Sequence, residues 1–225
     1  MREHLLLVLT AAACGRPASG DPVHLDRPAV TRYHMARHFG DLLDITHLLL
    51  AGKLDDARTR AFLLTRPPND DGLAELAAQS QAVADAATAL GQASSITDAC
   101  RLTAKVAQAC ASCHVQMPRV FRAPPAPEEP SAEPTLEVRM QRHQWAADRL
   151  WEGVVMGDDR RWRQGLEVLA MRPVPMPKGD GLAHRLQAMA LDSLGQLEQR
   201  SDTYATRAHA YGEMLVTCTA CHRQK

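Results

Sequence analysis

Aromatic residues are scarce in this chain of 225 residues: three Trp, three Tyr and three Phe make up 4 % of it. Strand-forming patterns are equally thin. Ala and Leu dominate the apolar 45 %, a composition that favours helices over strands and still suffices for a substantial core. Net charge is absent, with 26 Lys and Arg against 26 Asp and Glu, so nothing in the charge balance points to nucleic acid or to a strongly charged partner. The apolar run from Leu5 to Ala13 falls well short of the roughly 20 residues that span a bilayer. No Gly-rich phosphate loop and no hydrolytic constellation of residues is visible. These absences leave a helical chain whose chemistry must come from elsewhere.

What the chain does have is a pentapeptide that occurs twice: Cys110-Ala111-Ser112-Cys113-His114 and, near the end, Cys218-Thr219-Ala220-Cys221-His222. Cys-x-x-Cys-His is the attachment signal of c-type haem. Residues three and four apart share one face of a helix. Cys110 and Cys113 therefore reach the two vinyl groups of one porphyrin, and His114 offers its imidazole to the iron from the same side. Cys218, Cys221 and His222 repeat the arrangement. The expectation is two haem c groups with His114 and His222 as proximal iron ligands. Two Cys-x-x-Cys pairs also suit a structural zinc site, but that leaves both trailing histidines unexplained. A thioredoxin-like dithiol needs a βαβ context. Disulfides are compatible with an exported protein, yet a bridge across Cys-x-x-Cys closes too small a loop to contribute much.

The N-terminus reads as a signal for export: Met1-Arg2-Glu3-His4, the short apolar run, then Ala11-Ala12-Ala13 before Cys14. The small residues ahead of the cysteine resemble a bacterial lipobox, with Ala11 where Leu is usual, and imply that Cys14 becomes a lipidated N-terminus; the alternative is an ordinary cleaved signal. Both place the chain outside the cytoplasm, where bacterial c-type haem is attached. We divide the sequence into a signal segment 1–14, a flexible tether 15–28 rich in Gly, Pro and Ser, a first haem domain 29–117, a Pro-rich linker 118–134 and a second haem domain 135–225.

The two domains are an internal duplication. Met35-Ala36-Arg37-His38 is echoed by Met140-Gln141-Arg142-His143, and Gly52 by Gly157 at the same offset. Each half divides into four helical patterns, over 29–51, 54–65, 71–91 and 95–114, then 135–156, 158–170, 180–200 and 202–222. Gly52 and Gly157 suit helix C-termini, and Asp55-Asp56 and Asp158-Asp159 suit the starts of the next helices. The stripe Met35, His38, Leu42, Ile45, Leu49 and its counterpart Met140, His143, Ala147, Leu150, Val154 form core-facing seams. The last helix of each half carries another, Ile96 through Cys100, Thr103, Ala107 and Cys110 to His114, matched by Tyr204 to His222. Cys100 falls on it as a small core residue. The fold class expected is all-α, two tandem antiparallel four-helix bundles with one haem each.

In these features the sequence resembles the cytochrome c′/c556 family, antiparallel four-helix bundles with a single haem on Cys-x-x-Cys-His near the end of helix four. The resemblance rests on the two motifs and on the first-helix segment Met35 to Gly52, and covers roughly 29–116 and 135–225. The chain departs from the family immediately after each motif: Val115-Gln116 and Arg223-Gln224 stand where Tyr-Arg or Tyr-Lys is usual.

The far side of each iron stays open between alternatives. An antiparallel bundle sets the start of helix one beside the end of helix four, so Met35 and Met140 are distal candidates, as the family's c556-like members imply. His38 and His143, one turn on along the same face, are the alternatives, because a buried imidazole needs a partner. An open site is the third possibility. Arg37 and Arg142, or Arg32 and Arg139, are candidate propionate partners. His34, His47 and His209 lie off the repeat and read as surface or interface residues; Trp145, Trp151 and Trp162 read as core. The functional expectation is a periplasmic or envelope-anchored electron carrier, not an enzyme, serving redox partner proteins. It would be tied to a membrane by its N-terminal lipid and pair its bundles within the chain or as a homodimer. Binding of small gases at an open iron is the alternative, and a dihaem peroxidase fits less well.

Overall fold

The structure, a computed structural model, describes residues 27–65, 77–116, 125–130, 135–171 and 181–223, the side chains of 27–34 and 116 excepted. Cys14, the signal, nearly all of the tether and most of the Pro-rich linker lie outside the described residues, as do the side chains of Arg32 and His34. What is described is all-α: eight helices, α1 (Arg27–Leu50), α2 (Leu54–Ala61), α3 (Ala77–Gly91), α4 (Ile96–Gln116), α5 (Leu136–Met156), α6 (Asp159–Met171), α7 (Gly181–Glu198) and α8 (Tyr204–His222), with a 3-10 turn over Phe62–Thr65. The helical patterns of the sequence correspond to these elements one for one. Residues 125–130 of the linker are non-helical, as a run with Pro125, Pro127 and Pro130 requires. Among the described residues no helix is long and apolar enough to cross a membrane.

Local chemistry sets the helix ends. Thr135 accepts a hydrogen bond from the Val138 N–H at the start of α5, and Thr203 forms a capping box with Thr206 at the start of α8. At the start of α4 the Ser95 hydroxyl accepts from the Asp98 N–H at 3.1 Å while Asp98 accepts from the Ser94 N–H at 2.9 Å. Gly157 ends α5 in the left-handed conformation, φ +63°, and Gly52 takes φ +75° just after α1; the absence of a Cβ makes both turns inexpensive.

Within each half, successive helices pack on one another and the first meets the fourth: α1 on α2 and α4, α2 on α3, α3 on α4, and likewise α5 through α8. Between the halves α4 packs on α8 and on α5, and α1 on α8. The α4–α8 crossing is antiparallel. Cys100, early in α4, lies 3.9 Å from the Thr219 hydroxyl, late in α8, and Arg101 donates to Glu213 at 2.6 Å. The buried stripes appear where the sequence puts them: Leu42, Ile45, Leu49, Leu150 and Val154 are core residues. Cys100, Thr103 and Ala107 on α4 are fully buried too, as are Ala208, Tyr211 and Leu215 on α8. Trp145, Trp151 and Trp162 are buried as well. Trp151 bridges the halves, with its ring 6.4 Å from Phe39 of α1 and 5.6 Å from Tyr211 of α8, centroid to centroid. The apolar core is continuous across both halves.

One charged cluster fastens α8 to its own half. Arg207, 3 % exposed, pairs with Asp202 and, at 2.9 Å, with Asp159. Its guanidinium also stands 5.6 Å from the Trp162 ring centroid and 5.7 Å from that of Tyr204. The Asp202 side chain is 6 % exposed and that of Asp159 75 %, so the two carboxylates matter differently. Arg207→Ala strands a buried carboxylate and is expected to destabilise the fold by about 3–5 kcal/mol, whereas Asp159→Asn costs less than about 1 kcal/mol. Urea unfolding of the two variants beside the wild type checks the contrast.

Candidate functional site

The second Cys-x-x-Cys-His sits on the final turns of α8, and a cavity opens beside it. Its walls include Cys218 and His222 of α8, His143, Ala147 and Trp151 of α5, and Thr46, His47 and Leu50 of α1. Because α5 and α8 run antiparallel, the start of α5 meets the end of α8, and the repeated stripe thereby brings His143 to His222. The two imidazoles are close enough to influence each other: burial first, and the charge of His222 second, hold the His143 pKa down to about 4. Neutral imidazole, the metal-binding form, is thus its state at neutral pH.

Two buried polar groups on this wall lack hydrogen-bond partners, Nδ1 of His143 and Nε1 of Trp151. Buried donors and acceptors are nearly always satisfied; other unpartnered buried atoms, on Arg149 and Trp162, lie away from this cavity. The enclosed space is about 50 Å³, enough for a water or two, and a porphyrin enters only if α1, α5 and α8 stand further apart. Of the groups a c-type haem would need, Cys218, His222 and a second imidazole, His143, stand on this wall among largely apolar neighbours, and Cys221 does not.

Met140 is not part of this cavity. It lies one turn nearer the start of α5 and is 39 % exposed, so the face turned to the cavity begins at His143. Arg142, a candidate propionate partner, forms an ion pair with Glu129 of the linker; Arg139 is exposed. His209 is exposed, and His47, also exposed, sits on the rim of the cavity.

Comparison of the chain with protein-family models, with curated proteins and with solved structures finds no match.

The first motif occupies the end of α4. His114 is buried and donates from Nδ1 to the backbone carbonyl of Val155, at 2.8 Å, near the end of α5. Burial lowers the His114 pKa and this hydrogen bond opposes the shift. A ligating histidine characteristically gives its second ring N–H to such an acceptor, which fixes the tautomer and leaves Nε2 for the metal. Met35 and His38 are half-buried on α1, and Arg37 is exposed; α1 does pack on α4. The sequence carried no signal for the Val155 contact, because a backbone carbonyl has no residue type to recognise.

None of the five described cysteines is in a disulfide. Cys110 lies close enough to Cys113, and Cys218 to Cys221, for their charges to interact. The two pairs do not converge: α4 and α8 are antiparallel, which separates Cys110 from Cys218 by about 15 Å along the seam at 1.5 Å per residue. One zinc ion cannot collect all four thiols across that distance, and among the described residues no group of three or more His, Cys, Asp or Glu is placed to hold a metal ion alone. Burial pushes the Cys110 and Cys218 thiols up to about 12. A thiolate is costly there, while a thioether, which carries no charge, is not.

Cys100 is a different case. It is fully buried at the α4–α8 seam, and burial raises its thiol to about 11. We expect maleimide at neutral pH to leave Cys100 of the native protein unlabelled and to modify it fully in denaturant, as read by peptide mass. Labelling of native protein at the rate of an exposed thiol would contradict the seam.

Proposed function

We propose that this chain is an exported dihaem c-type cytochrome that carries single electrons between redox partner proteins. In this reading each half is a four-helix unit akin to the cytochrome c′/c556 family. Cys110 and Cys113 hold one haem and Cys218 and Cys221 the other, with His114 and His222 as proximal ligands. The N-terminal signal and Cys14 supply export and anchoring, on the periplasmic side of a bacterial envelope. The observation that carries the reading is the cavity at the end of α8, where a tethering cysteine, its histidine and a second imidazole with an orphaned nitrogen share one apolar wall.

Bound there, haem supplies an iron that changes oxidation state by one electron. The chain's own residues determine what that iron does. In this reading His143, which shares the cavity wall with His222 while Met140 does not, would be the residue to hold the second iron from its far side, and a bis-histidine site would have a lower potential than a Met/His one. Leu150, Leu169, Leu186, Met214 and Leu215 line the cavity and keep water away, so the surroundings need little rearrangement when charge changes. Trp151 Nε1–H is a donor available to a polar edge of the group. A six-coordinate iron in such a pocket suits electron transfer; an open iron suits small-gas binding.

The expected outcome is a wild-type protein with two covalent haems, the second low-spin and unreactive toward carbon monoxide. His143→Ala should convert one haem of the two to a high-spin, carbon monoxide-binding form, while Met140→Leu leaves the spectrum unchanged. Optical and electron paramagnetic resonance spectra read both. Low-spin iron at both sites in His143→Ala would remove His143 as a ligand, and rapid carbon monoxide binding by the wild type at both irons would favour the gas-binding alternative.

A further inference from the structure

The duplication has a geometric consequence that neither half contains alone. The residue after each proximal histidine rests on the helix-ending glycine of the opposite half. Val115, after His114, lies against Gly157 at the end of α5, and Arg223, after His222, lies against Gly52 at the end of α1. The walls repeat the exchange. Leu50 of α1 lines the cavity of the second motif, and Val155, its counterpart one repeat later, meets His114 of the first. The halves are thus related by an approximate twofold, and each motif is closed by the first helix of the other half.

We propose that Val155, in the second half, is the positioning residue for the iron ligand of the first half: its carbonyl accepts a hydrogen bond from His114 Nδ1–H and so fixes the imidazole's tautomer and orientation. This rests on the dihaem reading and adds to it that the first haem's potential is set partly by residues of the other half. A hydrogen bond at Nδ1 makes the imidazole a more basic ligand. A more basic ligand favours the oxidised iron, so weakening the bond should raise that haem's potential.

Gly157 offers the lever. A Cβ there would stand 2.7 Å from Val115 Cγ2 and 3.1 Å from the Tyr204 ring, on a backbone at φ +63°. Gly157→Ala therefore presses on Val115, the residue after His114, and on a left-handed backbone two residues past Val155. At Gly52 the corresponding Cβ would meet only Arg223, at 3.8 Å, an ordinary contact.

The test is a redox titration of the full-length, haem-loaded protein, with the second haem's wave identified by its response to His143→Ala. Gly157→Ala should raise the potential of the first haem and leave the second in place, although the substitution lies in the second half. Adding Val115→Ala should reverse part of the shift. Gly52→Ala should move neither haem by as much. Should Gly157→Ala fail to fold, replacing Met156 by its α-hydroxy acid turns the Val155 carbonyl into a weaker ester acceptor without adding an atom, and should give the same upward shift. Both potentials moving together, the second haem moving alone, or neither moving would overturn the proposal. A product with no haem at all would instead overturn the dihaem reading, so the two failures are distinguishable.

Discussion

The antiparallel packing of α4 on α8 is the contact on which the rest depends. Both Cys-x-x-Cys-His motifs are on these two helices, and their crossing decides where each motif ends up. It sends the end of α4 toward the close of α5 and the end of α8 toward α1 and the start of α5. Small residues make the approach possible: Gly212 faces Ala104 and the Arg101 backbone, where a Cβ would come within 3.3 Å. The seam is dry at Cys100 and Thr219 and charged at its margin, where Glu213 accepts from Arg101. That hydrogen bond is the main cause of the lowered Glu213 pKa.

Burial and orphaned polarity carry the chemical argument. Burial raises the Cys110 and Cys218 thiols to about 12, as it raises that of Cys100 to about 11, and leaves His143 Nδ1 and Trp151 Nε1 on the cavity wall without partners. In the reading proposed above, the Cys110 and Cys218 thiols would be neutral thioethers and the His143 imidazole would have an iron to bind. Arg207 offers the contrast. Its guanidinium nitrogens all find acceptors, in Asp202, Asp159 and the Gly153 carbonyl, whereas Nε and Nη1 of the buried Arg149 have none.

Much of this was legible in the sequence. The stripes on α1, α4, α5 and α8 fell on the faces that are buried, apart from the exposed Met140 and Tyr204 at the outer ends of two of them, because an amphipathic period is written directly in residue order. The glycines and aspartates at helix ends worked for the same reason: their signals are local, whereas the threonine caps of α5 and α8 were not read. His143 was legible as a buried-face residue, though not that it lines the cavity while Met140 stays outside it. That depended on how far the cover of α8 extends along α5, a tertiary fact. The crossing of the halves was not legible. A duplication suggests two self-contained units, and nothing in residue order announces that Val155 and Val115 serve the opposite repeat. The ion pair of Arg142 was hidden for a similar reason, since its partner Glu129 lies in the linker.

The most direct measurement is the intact mass of the mature chain exported by a bacterium able to attach haem c, taken under denaturing conditions with its visible spectrum. The account predicts a polypeptide heavier by two haem groups, with both carried on the peptides containing Cys110–Cys113 and Cys218–Cys221. A colourless chain at the bare polypeptide mass, with four free thiols in those peptides, would contradict it.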